Sequence, residues 1–170
     1  MSKLTALALS IAVLGGVWAF LALNPLAGVA IVWVGFIAWG CYFHTGGDNA
    51  ALQKTIAGMS FGAVMAAIAL ALVVGDVTGD LGTLEALEIP VIIALTVFPL
   101  VIVAGCNMLS VVPANVYGYA ATAGLALSTG TQANTTAMNL TNPALLVIVS
   151  VVLGAVFGMV SGKLAGALGK

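Results

Sequence analysis

Long apolar stretches, broken only by short polar segments, fill most of this chain. Each stretch is about 18 to 20 residues long and holds no charged side chain in its middle. At a helical rise of ~1.5 Å per residue, such a stretch crosses the ~30 Å hydrocarbon core of a bilayer. The pattern predicts six transmembrane helices: Leu4–Leu23, Leu26–Phe43, Ile56–Val74, Ile89–Cys106, Leu109–Leu127 and Ala144–Gly162.

The composition supports a membrane protein. Hydrophobic residues make up 62% of the chain and charged residues 5%, and the mean hydropathy is +1.24. A water-soluble domain of this size cannot cover its surface with so few charges. We therefore expect an all-α membrane protein in which residues 1–170 form a single polytopic domain, with the lipid bilayer as its first partner.

The few charges predict how the helices are oriented. With six spans, all four lysines fall on one side of the membrane and four of the five acids fall on the other. By the positive-inside rule the lysine side is cytoplasmic, so both termini are expected in the cytoplasm. The lysines are Lys3, Lys54, Lys163 and Lys170, and the acids are Asp76, Asp80, Glu85 and Glu88.

The two halves of the chain share a short pattern. The second stretch contains Gly35-Phe36 and is followed by Thr45-Gly46, while the fifth contains Gly118-Tyr119 and is followed by Thr129-Gly130. Three helices per half place the second half upside down relative to the first. The pattern predicts a 3+3 inverted repeat, with half-repeats at about 1–74 and 89–170, and this is a recurring plan of transporters.

Small and aromatic residues carry a resemblance to a known family. The segments are Gly16-Val17-Trp18, Trp33 to Gly47, and Val112-Pro113 through Tyr117-Gly118 to Gly124. In these segments the chain resembles a family of small bacterial inner-membrane proteins of unknown function that includes YcdZ. The resemblance implies a multi-pass protein of the bacterial inner membrane and no particular activity. The Val112-Pro113…Tyr117 segment is also similar, more weakly, to the membrane domain of threonine/serine exporters.

Polar residues in the fifth stretch are the first candidates for a solute path. Asn115, Tyr119, Thr122 and Thr129 lie at helical spacing and share one face. Unpaired amides and hydroxyls are costly in hydrocarbon, so this face is expected to meet protein or water. It is either the wall of a conduit or a hydrogen-bonding contact between helices. Pro113 is expected to leave a carbonyl near Leu109 in need of a partner.

The second stretch is aromatic, and Trp33, Phe36 and Trp39 are further path candidates. Such rings stack against a planar solute such as urea, or they pack against lipid and neighbouring helices. His44 follows these rings. Histidine ordinarily changes charge between pH 5 and 8, so His44 is either a pH-sensitive gate paired with Asp48 or a solvated histidine at the interface.

Glycines at four-residue spacing run along the sixth stretch at Gly154, Gly158 and Gly162. This spacing lets helix backbones approach closely, and either an intrasubunit or an intersubunit contact would use it. A six-helix bundle of this size is too small to enclose a wide pore. We therefore expect a homo-oligomer with a narrow path in each protomer.

The absence of charged residues from the middles of the apolar stretches limits the possible functions. Intramembrane Asp, Glu, Lys or Arg would indicate ion coupling or a proton relay, and the six stretches contain none in their middles. A neutral solute needs only hydroxyls, amides, carbonyls and a fitted diameter. The sequence thus favours a channel or facilitator for a small neutral or weakly polar solute of the urea or short-amide type. The alternatives are a non-transporting membrane subunit or assembly partner, and an exporter of amino acids or organic acids.

Other classes of function lack the residues they need. There is no arginine to hold a phosphate, and the single histidine completes neither a catalytic pair nor a metal site. We expect no enzyme, no cofactor, no metal and no nucleic-acid partner.

Overall fold

The computed structural model describes residues 1–77, 79 and 82–169, which form six α-helices and short 3₁₀ segments without a β-strand. The helices are α1 (Lys3–Leu23), α2 (Val32–His44), α3 (Asn49–Val74), α4 (Glu88–Ile102), α5 (Val112–Thr129) and α6 (Pro143–Leu168). The all-α prediction is confirmed for the described residues. Asp80 and Lys170, which entered the charge argument, lie outside them.

Local sequence signals set several of the helix ends. The Ser2, Asp48 and Asn142 side chains accept hydrogen bonds from backbone N–H groups in the first turns of α1, α3 and α6. Pro113 and Pro143 stand in first turns, where no helical N–H bond is lost. Gly130 ends α5 in the left-handed conformation, at φ 68°.

The structure corrects the predicted bounds of several helices. α3 begins at Asn49 rather than Ile56, α5 begins at Val112 rather than Leu109, and α6 ends at Leu168 rather than Gly162. α2 begins at Val32 rather than Leu26, and α4 ends at Ile102 rather than Cys106. Turns and 3₁₀ segments fill residues 24–31 and 103–111 instead. These segments are as apolar as the helices beside them, so hydropathy does not distinguish them. Neighbouring polar side chains bind several of their free backbone groups, which lets the helices stop early.

Four helical segments in the described residues are long and apolar enough to cross a membrane: Lys3–Leu23, Asn49–Val74, Leu84–Gly105 and Pro143–Leu168. α2 is apolar but has only 13 residues, and α5 carries the polar residues of its stripe. Length and composition therefore fit a multi-pass membrane protein.

Two pairs of parallel helices form the centre of the bundle. Along α2 and α6, Gly35 meets Gly154 and Phe43 meets Gly162, so the two helices run in the same direction. Along α3 and α5, Gly58 and Gly62 meet the backbone or side chains of residues 114–119. α1 packs against α6, and α4 packs against α3 and α5. A core of small and branched apolar side chains joins the pairs.

Lysine-bearing segments gather at one end of this bundle. Lys3, the Gly46-Gly47 connection and Gly169 border one groove there, and His44 lies across a second groove from Tyr117 near the start of α5. The beginning of α1, the end of α6 and the α2–α3 and α4–α5 connections therefore share this end. We call it the lysine end and the opposite one the far end.

Candidate functional site

α2 and α5 border a groove at the lysine end of the bundle. It has a volume of about 380 Å³ and opens to the surface. We call it the lysine-end groove. Its lining combines aromatic rings, a glycine and a thiol: Phe36, Ile37, Gly40, Cys41, His44 and Tyr117.

A second groove, of about 280 Å³, opens at the far end. We call it the far-end groove. It also lies between the beginning of α2 and the end of α5, and the start of α6 closes one side. Its polar lining consists of hydroxyls and one amide, from Thr129, Thr131, Asn134 and Thr141. Neither groove is lined by Asp, Glu, Lys or Arg.

A band of small side chains separates the two grooves. On α5, Tyr117 borders one groove and Leu125 the other, and Ala121 lies between them at four-residue spacing on the same face. On α2, Val34 and Ala38 lie between Ile31 and Cys41 in the same way. Val34, Ala38 and Ala121 are buried in one apolar cluster. We call these three residues the apolar barrier, because they lie between the residues that border the two grooves.

The predicted polar stripe of α5 does not form one continuous wall. Asn115 is fully buried, and its Nδ2 donates to the Leu100 carbonyl (2.8 Å) and the Leu109 carbonyl (3.1 Å). The Leu109 carbonyl thus finds its partner in Asn115, but Pro113 is not what frees it: α5 begins only at Val112, so Leu109 precedes the helix. The Tyr119 hydroxyl is hydrogen-bonded to Thr96 Oγ1 of α4 (3.0 Å).

The other two members of the stripe lie in different surroundings. Thr122 is fully buried, whereas Thr129 is exposed and borders the far-end groove. Helical spacing placed the four residues on one face, but the neighbours of α5 change along its length. α4 binds the first half of the stripe, and the last residue extends beyond it. Only Thr129 therefore borders a groove in this structure.

The aromatic candidates of α2 separate in a similar way. Trp33 and Phe36 face outward, with 43% and 41% of their surfaces exposed, and only Phe36 borders a groove. Trp39 is buried and donates from its indole N–H to Ser161 Oγ on α6 (3.0 Å). Trp39 packs with Phe157 and belongs to a cluster of α1, α2 and α6. The three rings do not border one groove in this structure: Phe36 lines the lysine-end groove and stacks on Trp39 with ring centroids 5.7 Å apart, whereas Trp33 lines neither groove.

His44 is exposed at the rim of the lysine-end groove. Asp48, its expected partner in a gate, caps α3 by accepting the Ala51 N–H (2.7 Å). Tyr42 donates to the Gly47 carbonyl and so ties the connection between these two residues back to α2.

The glycines of α6 pack inside the chain. A Cβ on Gly154 would collide with the Gly35 backbone, and one on Gly158 would lie 3.1 Å from Trp39 Cδ1. Gly162 faces the Phe43 ring. The question that the sequence left open, whether this ladder serves the chain itself or a partner, is answered for these three residues by contacts with α2.

Several groove residues escaped sequence reasoning. Gly40, Leu125 and Thr131 line the grooves but carry no chemistry that attracts attention in a membrane helix or its connection. The four-residue series Tyr117, Ala121, Leu125, Thr129 was the available signal, since it runs from one groove to the other. Within residues 1–77, 79 and 82–169, no three His, Cys, Asp or Glu side chains gather to hold a metal ion.

No curated protein and no solved structure matches this chain. A family model described as "Protein of unknown function (DUF1097)" matches residues 8–166, which is nearly the whole sequence. The protein therefore belongs to the DUF1097 family of proteins of unknown function.

Proposed function

We propose that this protein is a membrane facilitator for a small neutral solute, and that the solute passes along the contact between α2 and α5. The observation that carries the proposal is the pair of grooves at opposite ends of this contact, separated only by small apolar side chains. The closed barrier corresponds to a resting state. Hydrophobic constrictions of this kind gate by admitting or excluding water.

The helix contacts support an inverted repeat whose two halves meet at the α2–α5 contact. Exchanging α1 with α4, α2 with α5 and α3 with α6 converts every main helix contact into another one. The contact α2–α6 becomes α5–α3, α1–α6 becomes α4–α3, and α2–α3 becomes α5–α6. The α2–α5 and α3–α6 contacts are unchanged by this exchange, so the symmetry axis of the proposed repeat passes through them. Inverted-repeat transporters hold their sites at the interface between repeats, and here that interface includes the two grooves.

The lining of the grooves fits a neutral solute. A charged solute would need charged side chains or a metal, which the lining residues of both grooves lack. Hydroxyls and an amide at the far end offer hydrogen bonds to urea, a short amide or a small alcohol. An exporter of zwitterions, as the weaker family resemblance would imply, would have to bind both charges through helix ends and carbonyls, because neither groove is lined by Asp, Glu, Lys or Arg.

The orientation that we propose follows from the charges. Lys3 and Lys163 belong to the helix ends at the lysine end, whereas Asp76 and Glu85 follow α3 towards the far end. The positive-inside rule makes the lysine end cytoplasmic. We therefore propose six membrane passages in a bacterial inner membrane, with the lysine-end groove open to the cytoplasm. The detailed likeness to YcdZ remains a prediction.

The second candidate, a non-transporting subunit, loses part of its support. Its main binding surface was the α6 glycine ladder, and Gly154, Gly158 and Gly162 pack against α2 of the same chain. A homo-oligomer with one path per protomer remains part of our proposal, and the particle mass in detergent tests it separately.

Transport in vesicles tests the proposal directly. Purified protein in liposomes should raise the permeability to urea, acetamide or glycerol above that of empty vesicles, as measured by stopped-flow light scattering. Replacing Gly40 with leucine should return the permeability to that of empty vesicles. A Cβ at Gly40 meets nothing within 4 Å, so the larger side chain enters the lysine-end groove without disturbing the fold.

Gly124→Leu is the matched control. Gly124 is also a helical glycine with open space around its Cβ, but it does not border either groove. This variant should conduct like the unaltered protein. Vesicles that conduct none of the three solutes would contradict the function, and equal conduction by both variants would contradict the path.

A further inference from the structure

Two aromatic rings line the lysine-end groove from different helices, Phe36 from α2 and Tyr117 from α5. Both rings are partly open to the surface, with 41% and 37% of their areas exposed. Trp33 is equally exposed on α2, but it borders neither groove. An exposed ring on a membrane helix ordinarily packs against lipid. The position of Phe36 and Tyr117 on the two walls of one groove distinguishes them from such a ring.

The Phe36 ring is held in place by two helices. It lies nearly parallel to the Trp39 ring, at an interplanar angle of 11°, and Trp39 is itself fixed by its hydrogen bond to Ser161. On the side of α1, a Cβ on Gly15 would lie 3.4 Å from the ring carbons Cε1 and Cζ. Glycine at this position thus leaves the room that the ring occupies. A ring that is positioned in advance can bind a solute without losing side-chain freedom.

The wall of α2 next to this ring is open. Phe36, Gly40 and His44 follow one another at four-residue spacing, so they lie on one face of α2, and all three line the groove. A Cβ on Gly40 would meet nothing within 4 Å. The wall therefore presents an aromatic ring, then bare backbone, and then an imidazole at the rim, which leaves space for a small molecule beside the ring.

The hydroxyl of Tyr117 differs from those of the other two tyrosines. Tyr42 donates to the Gly47 carbonyl, and Tyr119 is hydrogen-bonded to Thr96. Within the part of the chain that the structure describes, the Tyr117 hydroxyl has no such partner. A phenol both donates and accepts hydrogen bonds. This hydroxyl is therefore free to bind a polar solute in the groove.

We propose that Phe36 and Tyr117 form an aromatic clamp that makes the lysine-end groove selective for flat neutral amides, such as urea and acetamide, over polyols such as glycerol. This inference rests on the proposed facilitator function and names its substrate class. Resonance keeps the heavy atoms of an amide in one plane, so urea presents a flat face to a ring while its N–H and C=O groups lie at the edge, within reach of a hydroxyl. The carbon atoms of glycerol are tetrahedral, so glycerol has no flat face to stack.

Stopped-flow permeability of proteoliposomes to urea, acetamide and glycerol tests the clamp. Above the background of empty vesicles, the unaltered protein should conduct urea and acetamide faster than glycerol. Phe36→Leu and Tyr117→Leu should each lower the ratio of urea to glycerol permeability about fivefold, the effect of one lost ring contact. Tyr117→Phe keeps the ring and should therefore retain more of this ratio than Tyr117→Leu. Trp33→Leu is the matched control; it removes an equally exposed ring of α2 and should leave the ratio unchanged.

Two results would overturn the clamp while the facilitator function stands. One is equal conduction of glycerol and urea by the unaltered protein, and the other is a ratio that Phe36→Leu and Tyr117→Leu leave unchanged. A fall in the ratio for Trp33→Leu as large as that for Phe36→Leu would also overturn it, since any exposed ring of α2 would then have the same effect. Vesicles that conduct none of the three solutes would overturn the function itself, and the clamp with it. Monodisperse elution in detergent shows that each variant is folded, and the solute ratio of the unaltered protein decides the question if a leucine variant is not.

Discussion

The α2–α6 and α3–α5 contacts are packed in the same way but differ in their hydrogen bonds. Both are parallel helix pairs in which a glycine of one helix touches the backbone of the other, Gly154 on Gly35 and Gly118 on Met59. Along α6, Ser150 and Ser161 each accept one hydrogen bond and donate another. Along α5, Thr122 Oγ1 and Asn115 Oδ1 have no partner.

Ser161 shows how firmly the first pair is bound. Its hydroxyl accepts from the Trp39 indole of α2, and its carbonyl accepts from the Ser10 hydroxyl of α1 (3.0 Å). Three helices thus meet at one residue. The comparison teaches that two equally close helix contacts can differ in their hydrogen bonding: buried hydroxyls reinforce the α2–α6 pair, whereas two buried polar atoms of α5 have no hydrogen-bond partner in the protein.

The largest effect should come from filling the glycine contacts. In both Gly154→Leu and Gly118→Leu the new side chain meets backbone, which cannot yield, so each should cost about 3 kcal/mol or more. The yield and Tm of the monodisperse particle in detergent measure this. Gly166→Leu and Gly124→Leu, where a Cβ meets nothing within 4 Å, should behave like the unaltered protein. Tolerance of one of the two buried substitutions would break the comparison.

A smaller loss is expected when the bonds that hold α5 are removed. Asn115→Leu leaves the Leu100 and Leu109 carbonyls without their donor and should lower stability by about 2 kcal/mol. Thermal unfolding in detergent gives the shift. Asn107→Leu, an exposed residue in the same connection, should change little. An unchanged Tm for Asn115→Leu would show that these bonds contribute little to the stability of the bundle.

The smallest expected changes in stability differ in sign between the two helix pairs. Ser161→Ala leaves the buried Trp39 indole N–H without an acceptor and should cost about 1–2 kcal/mol. Ser128→Ala, at an exposed position of α5, serves as the control and should be near neutral. Thr122→Val, by contrast, should stabilise the protein. If Ser161→Ala is neutral and Thr122→Val is destabilising, the difference in hydrogen bonding between the two helix pairs does not govern their stability.

The sequence predicted the positions of the helices along the chain well, but it did not predict which side of each helix packs against the rest of the protein. Apolar length located all six, and Ser2, Asp48 and Asn142 cap three of them. The start of α2 was missed because apolar residues occupy both the turn before Val32 and the helix after it. The path candidates separated because helices that are apolar on all sides do not reveal which side meets protein. Hence Trp39 proved to be a packing residue and Gly40 a groove residue.

Sequence by itself determined that this chain consists of apolar helices that fit a multi-pass membrane protein, where each of the six helices lies to within about seven residues at its ends, and that its lysines and acids separate along the chain. Those properties follow from how each segment interacts with solvent or lipid, and this depends on the residues of that segment alone. Only the tertiary structure decided that the α6 glycines serve α2, that α2 and α5 border both grooves, and that two polar atoms of α5 lack partners. These are properties of pairs of surfaces, and they exist only once the helices are packed together.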